Sequence, residues 1–374
     1  VTPENRKNEI LILGGYGNFG KRIAQGLSRH GLPLLIAGRD LDKAQALCAE
    51  LPNTRPLQLD IHTGLDRALK AEKPSVVIHT CGPFQNSDYS VARACLAAGV
   101  HYIDLADGRD FVRDFAGLDA EAKAAGVTLI SGASTVPGLS STVIDHFKPA
   151  FARMDRLDFG ISPGQKAQRG LATTRGILSY VGRPLRPFSG HPRAYGWQDA
   201  HQQAYPHMGK RWLANCDIPD LDLLPPVYGF RHIRFGAGLE LGVLHLGLWA
   251  LSWLVRAGLP LHLPALAKPL LAASDAFNSF GSDIGGMHVT ISGIGQDDRP
   301  LTRSWFIVAG SGDGPQIPCV PAILLAKRLH EEDPRTELPA LAHGAFACIG
   351  QVRLEDYLEE LRRFDIETFS DNSG

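Results

Sequence analysis

Residues Ile10-Leu11-Ile12-Leu13-Gly14-Gly15-Tyr16-Gly17-Asn18-Phe19-Gly20 decide the fold. Four consecutive apolar residues bounded by glycine predict a strand buried on both faces, and Ile23, Ala24 and Leu27 at helical spacing predict the helix that follows. Between them, Gly15, Gly17 and Gly20 stand in the G-x-G-x-x-G register of a dinucleotide-binding turn. In that pattern the first glycine permits the tight turn and the second lets the backbone approach a pyrophosphate. The third lets the helix pack close to the strand, with its N-terminus facing the phosphates. Gly15, Tyr16, Gly17, Asn18, Phe19 and Gly20 are therefore the expected cofactor contacts.

The next apolar run, residues 34–38, predicts a second buried strand. At its end, where the fingerprint calls for an acid on the ribose 2'-hydroxyl, the chain has Ala37-Gly38-Arg39. Arginine pairs with a 2'-phosphate by charge-assisted bonds, whereas an acid repels it. NADP is thus expected over NAD, with Gly38 and Arg39 among its contacts. Asp40 reads either as a ribose ligand or as the N-cap of a helix over 41–51.

Further strands, expected at 55–60, 75–80, 100–105 and 127–130, alternate with helical stretches at 64–72, 88–98 and 110–125. Six strands alternating with helices predict an α/β fold, a Rossmann-type doubly wound parallel sheet. Asp60, at a strand end, reads equally as an adenine-side contact or as a turn residue. Cys81, Gly82 and Pro83 form a turn expected on the nicotinamide ribose side. Cys81 itself reads as a small buried residue rather than a reactive thiol.

From about Met154 the composition shifts. A strand at 157–161 leads into a basic stretch with Lys166, Arg169, Arg175, Arg183 and Arg186, then into a Pro- and aromatic-rich segment, 184–228. The stretch 239–273 is strongly apolar, and 241–255 carries no acid, lysine or arginine before Arg256. That run falls short of the ~20 residues needed to span a bilayer, so it reads as a core or oligomer-interface helix pair broken near Pro260 and Pro264. A hairpin from 288–293 and 304–309 predicts an α+β second domain, and a helix follows at 320–330.

The net charge of −1, from 38 basic and 39 acidic residues, gives no field that recommends nucleic acid. A small-molecule substrate is the expected partner, and a membrane is not. The six cysteines include no C-x-x-C pair and the fourteen histidines no H-E-x-x-H, so no metal is expected. The polar start of the chain, residues 1–9, leaves no room for a signal peptide, which points to the cytoplasm.

Four segments in order carry a family likeness: Gly14 to Gly20, Ala37-Gly38-Arg39, the run from Cys81-Gly82-Pro83-Phe84 through residues 91–105, and Gly132 to Gly138. With them the chain resembles the saccharopine dehydrogenase-like family over roughly residues 8–145, and again around 310–330. The resemblance implies a discontinuous dinucleotide-binding domain, 1–145 with 315–374, closed by a returning C-terminal helix. It also implies an inserted α+β domain, 146–314, for substrate binding and dimer contacts, and hence a homodimer. Better-known members oxidise or reduce a carbon–nitrogen bond between an amino acid and a carbonyl partner.

Hydride transfer needs the nicotinamide and acceptor carbon in contact and a proton donor nearby. At the C-terminal end of the fifth strand, Tyr102, Asp104 and Asp107 are the catalytic candidates. The structural alternative is that Asp107 caps a turn while Asp104 holds the following loop. Lys166, Arg169 and Arg175 could bind a substrate carboxylate or form a solvated loop. The expected function is NADPH-preferring hydride transfer to or from a small C=N, C=O or C=C substrate. The rival reading is an NADP-binding sensor or scaffold without turnover, including one at a membrane surface.

Overall fold

Strand β1 (Ile10–Leu13) is fully buried in the computed structural model, which describes residues 8–85, 87–168, 170–330 and 340–371, with Ala172 by its backbone only. Helix α1 (Asn18–Arg29) follows it and turns Ile23, Ala24 and Leu27 inward, as their spacing requires. The alternation continues through β2 (Leu34–Gly38), α2 (Leu41–Glu50), β3 (Thr54–Gln58), α3 (Leu65–Glu72), β4 (Val76–His79) and α4 (Ser90–Ala98). It is completed by β5 (His101–Asp104), α5 (Arg109–Asp114), α6 (Asp119–Ala125) and β6 (Thr128–Ser131).

The chain then enters a second compact unit, 140–315 with 358–374. In order it contains α7 (Ser140–Phe147), β7 (Phe151–Ser162), α8 (Leu171–Tyr180), β8 (Pro184–Leu185), β9 (Ala194–Tyr195), β10 (His201–Tyr205) and β11 (Gly209–Asn215). After these come α9 (Asp220–Tyr228), β12 (His232–Ala237), α10 (Gly242–Arg256), α11 (Ala267–Asp275), β13 (Gly285–Gly295) and β14 (Pro300–Ala309). The return brings α12 (Val320–His330), β15 (Gly344–Ala347), α13 (Leu354–Leu361) and β16 (Ile366–Asp371).

The first unit, 1–139 with 316–357, holds a seven-stranded parallel sheet in the order β15-β6-β5-β4-β1-β2-β3. Its reversal of strand order at β1 and β4 creates the crevice where such sheets bind nucleotides. Six strands follow the expected alternation. The seventh, β15, comes from the far side of the inserted unit and pairs with β6. Helix α12 packs on α1, where a Cβ added at Gly26 would lie 2.4 Å from Ile323 Cδ1.

The second unit is α+β around a mixed sheet ordered β10-β11-β12-β7-β13-β14-β16. The long β7 is its spine, parallel to β12 and antiparallel to β13. The C-terminal segment differs from the sequence expectation. Residues 358–374 group with this unit, because β16 pairs antiparallel with β14 from Ser304↔Asp371 to Ala309↔Ile366. A six-residue edge strand has no sequence signal that names its neighbour, so the family layout alone assigned it to the first domain.

Candidate cofactor site

The turn after β1 is pinned to the neighbouring strand: the N–H groups of Gly14 and Gly15 both donate to the Ala37 carbonyl, at 2.9 and 3.0 Å. Gly14 carries the left-handed conformation, φ +76°, and a Cβ there would lie 2.8 Å from Thr80 Oγ1 and 2.9 Å from Cys81 Sγ. The tight-turn role assigned to Gly15 therefore belongs to Gly14. Gly15 is needed for a different reason, since its Cβ would meet Ile36 Cγ2 at 2.9 Å and the Ile12 carbonyl at 3.0 Å. The paired glycines were the signal for this, and the six-residue register passes over it.

Gly17 is exposed, donates to the Gly14 carbonyl at 2.8 Å and stands as the N-cap of α1. At Gly20 a Cβ would fall 2.2 Å from the Gly14 carbonyl oxygen, so only glycine lets α1 start this close to the turn. Asn18 is bound by Arg22, which donates to its side-chain and main-chain oxygens, and the Phe19 carbonyl lies 3.8 Å from Cys319 Sγ. The first turn of α1 has neither a side-chain cap nor an acid. Its free N–H groups and the positive end of its dipole thus lack an internal counterpart, the chemistry a pyrophosphate supplies.

At the tip of β2, the Tyr16 ring covers Gly38, where a Cβ would lie 2.2 Å from Tyr16 Cε1. The Tyr16 hydroxyl accepts from the Asp40 N–H at 2.9 Å. Asp40 is the N-cap of α2: its carboxylate accepts from the Lys43 N–H at 3.2 Å and pairs with Lys43 Nζ at 3.1 Å. Those bonds hold its pKa below the usual carboxylate value. Arg39, between them, is exposed and forms no ion pair among the described residues. Asp60 accepts from the His62 N–H at 2.9 Å in the turn leading to α3.

At the end of β4, Thr80 Oγ1 donates to the Leu13 carbonyl at 2.8 Å and ties the two central strands together. Cys81 is half-buried and its thiol is pushed up to about 11 by burial, so it stays protonated. Gly82 and Pro83 are exposed, while Phe84 turns inward onto His79 and Phe111.

The three catalytic candidates are separated by depth. Tyr102 is fully buried and its hydroxyl lies 3.0 Å from Nδ1 of His79, an imidazole kept neutral because burial lowers its pKa to about 4. Asp104 is also fully buried. Its Oδ1 accepts from Ser131 Oγ at 3.0 Å, the Gly132 N–H at 2.8 Å and the Ala106 N–H at 2.9 Å, while Oδ2 has no partner. Burial pushes Asp104 up to about 6 against the opposing pull of those bonds. Asp104 thus joins the loops after β5 and β6, Tyr102 links β5 to β4, and both side chains are buried. Asp107 is half-buried, with Oδ1 accepting from Gln85 Nε2 at 3.0 Å and its pKa raised by burial. Gln85, which had no sequence signal, is the residue that fixes it. Lys166 and Arg175 lie in the second unit, and Arg169 lies outside the described residues.

Residues 10–130 match the model of the saccharopine dehydrogenase NADP binding domain. A trans-acting enoyl reductase of Mycobacterium tuberculosis is 30% identical over 120 residues, 30% of this chain and 29% of that protein. The corresponding protein of Mycobacterium leprae is 28% identical over 146 residues, 37% of this chain and 35% of that one. The matched stretch thus spans about a third of these relatives. Among solved structures, the apo saccharopine dehydrogenase (L-Glu forming) of Saccharomyces cerevisiae has the same fold, with a TM-score of 0.65 at 13% identity, over 97% of this chain and all of that one.

Proposed function

Starting from the NADP binding domain of the saccharopine dehydrogenase family at residues 10–130, we propose that this protein is an NADPH-preferring oxidoreductase. We propose hydride transfer to or from a polarised C=C, C=N or C=O bond of a small substrate. One observation carries the cofactor preference: Arg39 is exposed at the tip of β2 and forms no ion pair among the described residues, while the neighbouring acid, Asp40, is engaged as a helix cap. A 2'-phosphate there meets a free guanidinium and no competing carboxylate. The backbone of Gly15, Gly17 and Gly20 and the start of α1 would hold the pyrophosphate, and Tyr16 and Gly38 would shape the adenosine side. The turn at Cys81, Gly82 and Pro83 would border the nicotinamide ribose. The bound cofactor supplies the hydride.

Within this reading Asp107 is the proton donor or substrate-orienting acid. Asp104 is completely buried whereas Asp107 is only half-buried, so of the two acids Asp107 is the one a substrate can reach, and burial raises its pKa in the direction a proton donor needs. Asp104 is a positioning residue that holds the loops on which Asp107 and Gly132 sit, and Tyr102 one that ties β5 to His79 of β4. The mycobacterial relatives named as enoyl reductases favour an α,β-unsaturated carbonyl as the first substrate class to try. The test is NADPH consumption against a panel of enones, imines and keto acids. Turnover of one class supports the proposal, while tight NADPH binding with no turnover across the panel favours the sensor reading instead.

A further inference from the structure

Helix α10 is built inside out. Its residues Val243, Leu246, Gly247, Ala250, Trp253, Leu254 and, just beyond its end, Ala257 recur at helical spacing and are all exposed. Val243 is 66% exposed, whereas the opposite face buries His245 and Ser252 completely. Leu248, Trp249 and Val255 pack on the core of the second unit around Leu178, Trp197 and Leu263, so the helix is firmly seated. The sequence predicts a core or oligomer-interface helix pair over this stretch; one face of α10 does pack on the core, and the outward stripe is surface. Leu259, Leu266, Phe277 and Phe280 extend the apolar surface beyond the helix, with Phe280 77% exposed.

A cationic recess borders this stripe. A cavity of about 460 Å³ is lined by Arg183, Tyr195, Arg256, Leu259 and His262 among others, and by no carboxylate. The Arg256 guanidinium lies over the Tyr195 ring at 3.9 Å and the Trp253 ring at 4.9 Å, and it donates to Gln198 Oε1 at 2.6 Å. Arg183, Arg256 and Lys268 form no ion pair among the described residues. At the other end of α10, Glu240 is taken by Arg211 at 3.1 Å and by Ser282 and the Gln165 N–H.

We infer that the outward stripe of α10 and the Arg183–Arg256–His262 recess dock on the surface of a bilayer containing anionic lipid. An apolar stripe with tryptophan at its edge enters the acyl boundary, and the arginines meet the lipid phosphates. Charge complementarity selects this occupant. The recess itself offers no carboxylate to the cations of a second copy placed face to face, although Asp275 is exposed on the surface near Phe277. No helix among the described residues is long and apolar enough to cross a membrane, so the contact lies on the surface. This inference owes nothing to the cofactor reading.

The experiment is flotation of the full chain with vesicles of phosphatidylcholine, with or without phosphatidylglycerol. Two variants at exposed positions, the double substitution Trp253→Ser/Leu254→Ser and the single substitution Arg183→Glu, are compared after circular dichroism and melting show them folded. The wild type is expected to float with the anionic vesicles only, and each variant to lose about fivefold or more of that binding. Failure of the wild type to float, equal flotation of the folded variants, or equal binding to neutral vesicles would overturn the inference. So would a dimer in light scattering that the Trp253→Ser/Leu254→Ser variant dissolves, because a second copy would then be the occupant.

Discussion

Replacing Asp104 by asparagine removes a buried charge without changing the shape of the side chain. Asp104 is completely buried, with three donors on Oδ1 and none on Oδ2. An amide keeps the accepting oxygen for Ser131, Gly132 and Ala106, and it is cheaper to bury than a carboxylate. Burial raises the wild-type pKa from 3.8 to about 6, which corresponds to roughly 3 kcal/mol between the two protonation states. The folded protein therefore holds this proton more tightly than the unfolded chain. The associated stability is complete below the unfolded value and is lost as pH rises through about 6. D104N has no such loss, so the stability difference should move in its favour by roughly 2–3 kcal/mol between about pH 4 and about pH 8. At about 2–4 °C per kcal/mol, the melting temperature of D104N relative to wild type should rise by roughly 4–12 °C over that range. Paired thermal melts across pH measure this directly. A gap that stays constant with pH would refute the argument that an uncompensated buried carboxylate governs this position.

Other consequences follow from the same geometry. Gly20→Ala places a methyl group 2.2 Å from the Gly14 carbonyl, so calorimetric titration should show NADPH affinity reduced by about tenfold or more, together with a loss of about 1–3 kcal/mol in stability. Asp107→Asn should lower kcat by about 100-fold while leaving the NADPH dissociation constant unchanged, whereas D104N should keep kcat within a few-fold; steady-state kinetics on the substrate found in the panel separate the two. Tyr16→Phe removes the acceptor of the Asp40 N–H and should cost about 1 kcal/mol in urea unfolding, with the packing on Gly38 retained.

The parallel sheet was legible because its central strands β1 and β4 are buried and carry apolar runs such as Ile10–Leu13 and residues 76–78. The cofactor turn was legible because glycine spacing there is dictated by backbone contact. The assignment of the tight turn to Gly14 depends on Thr80 and Cys81, which reach it from another strand, so no local pattern contains it. Tyr16 is the same kind of case, since its role exists only through Gly38 and Asp40. β15 is four residues of glycine, alanine and phenylalanine and has almost no strand signal of its own; its place beside β6 comes from pairing. For α10, apolar residues occupy both faces, so periodicity cannot say which one the core receives. The depth of Asp104 and Asp107 was hidden for a related reason, because two acids three residues apart at a strand end look alike until the loops that cover one of them are in place.

The most direct test of the cofactor account is the ratio of NADPH to NADH dissociation constants for the wild type and for Arg39→Ala, measured by fluorescence titration at fixed ionic strength. Arg39 is exposed and unpaired among the described residues, so its loss should cost about 1–2 kcal/mol, a weakening of NADPH binding by about 5–30-fold. NADH binding should change by less than about twofold, because that cofactor has no 2'-phosphate for the guanidinium to meet. A ratio that is the same in both proteins would contradict the assignment of Arg39 and, with it, the preference for NADPH.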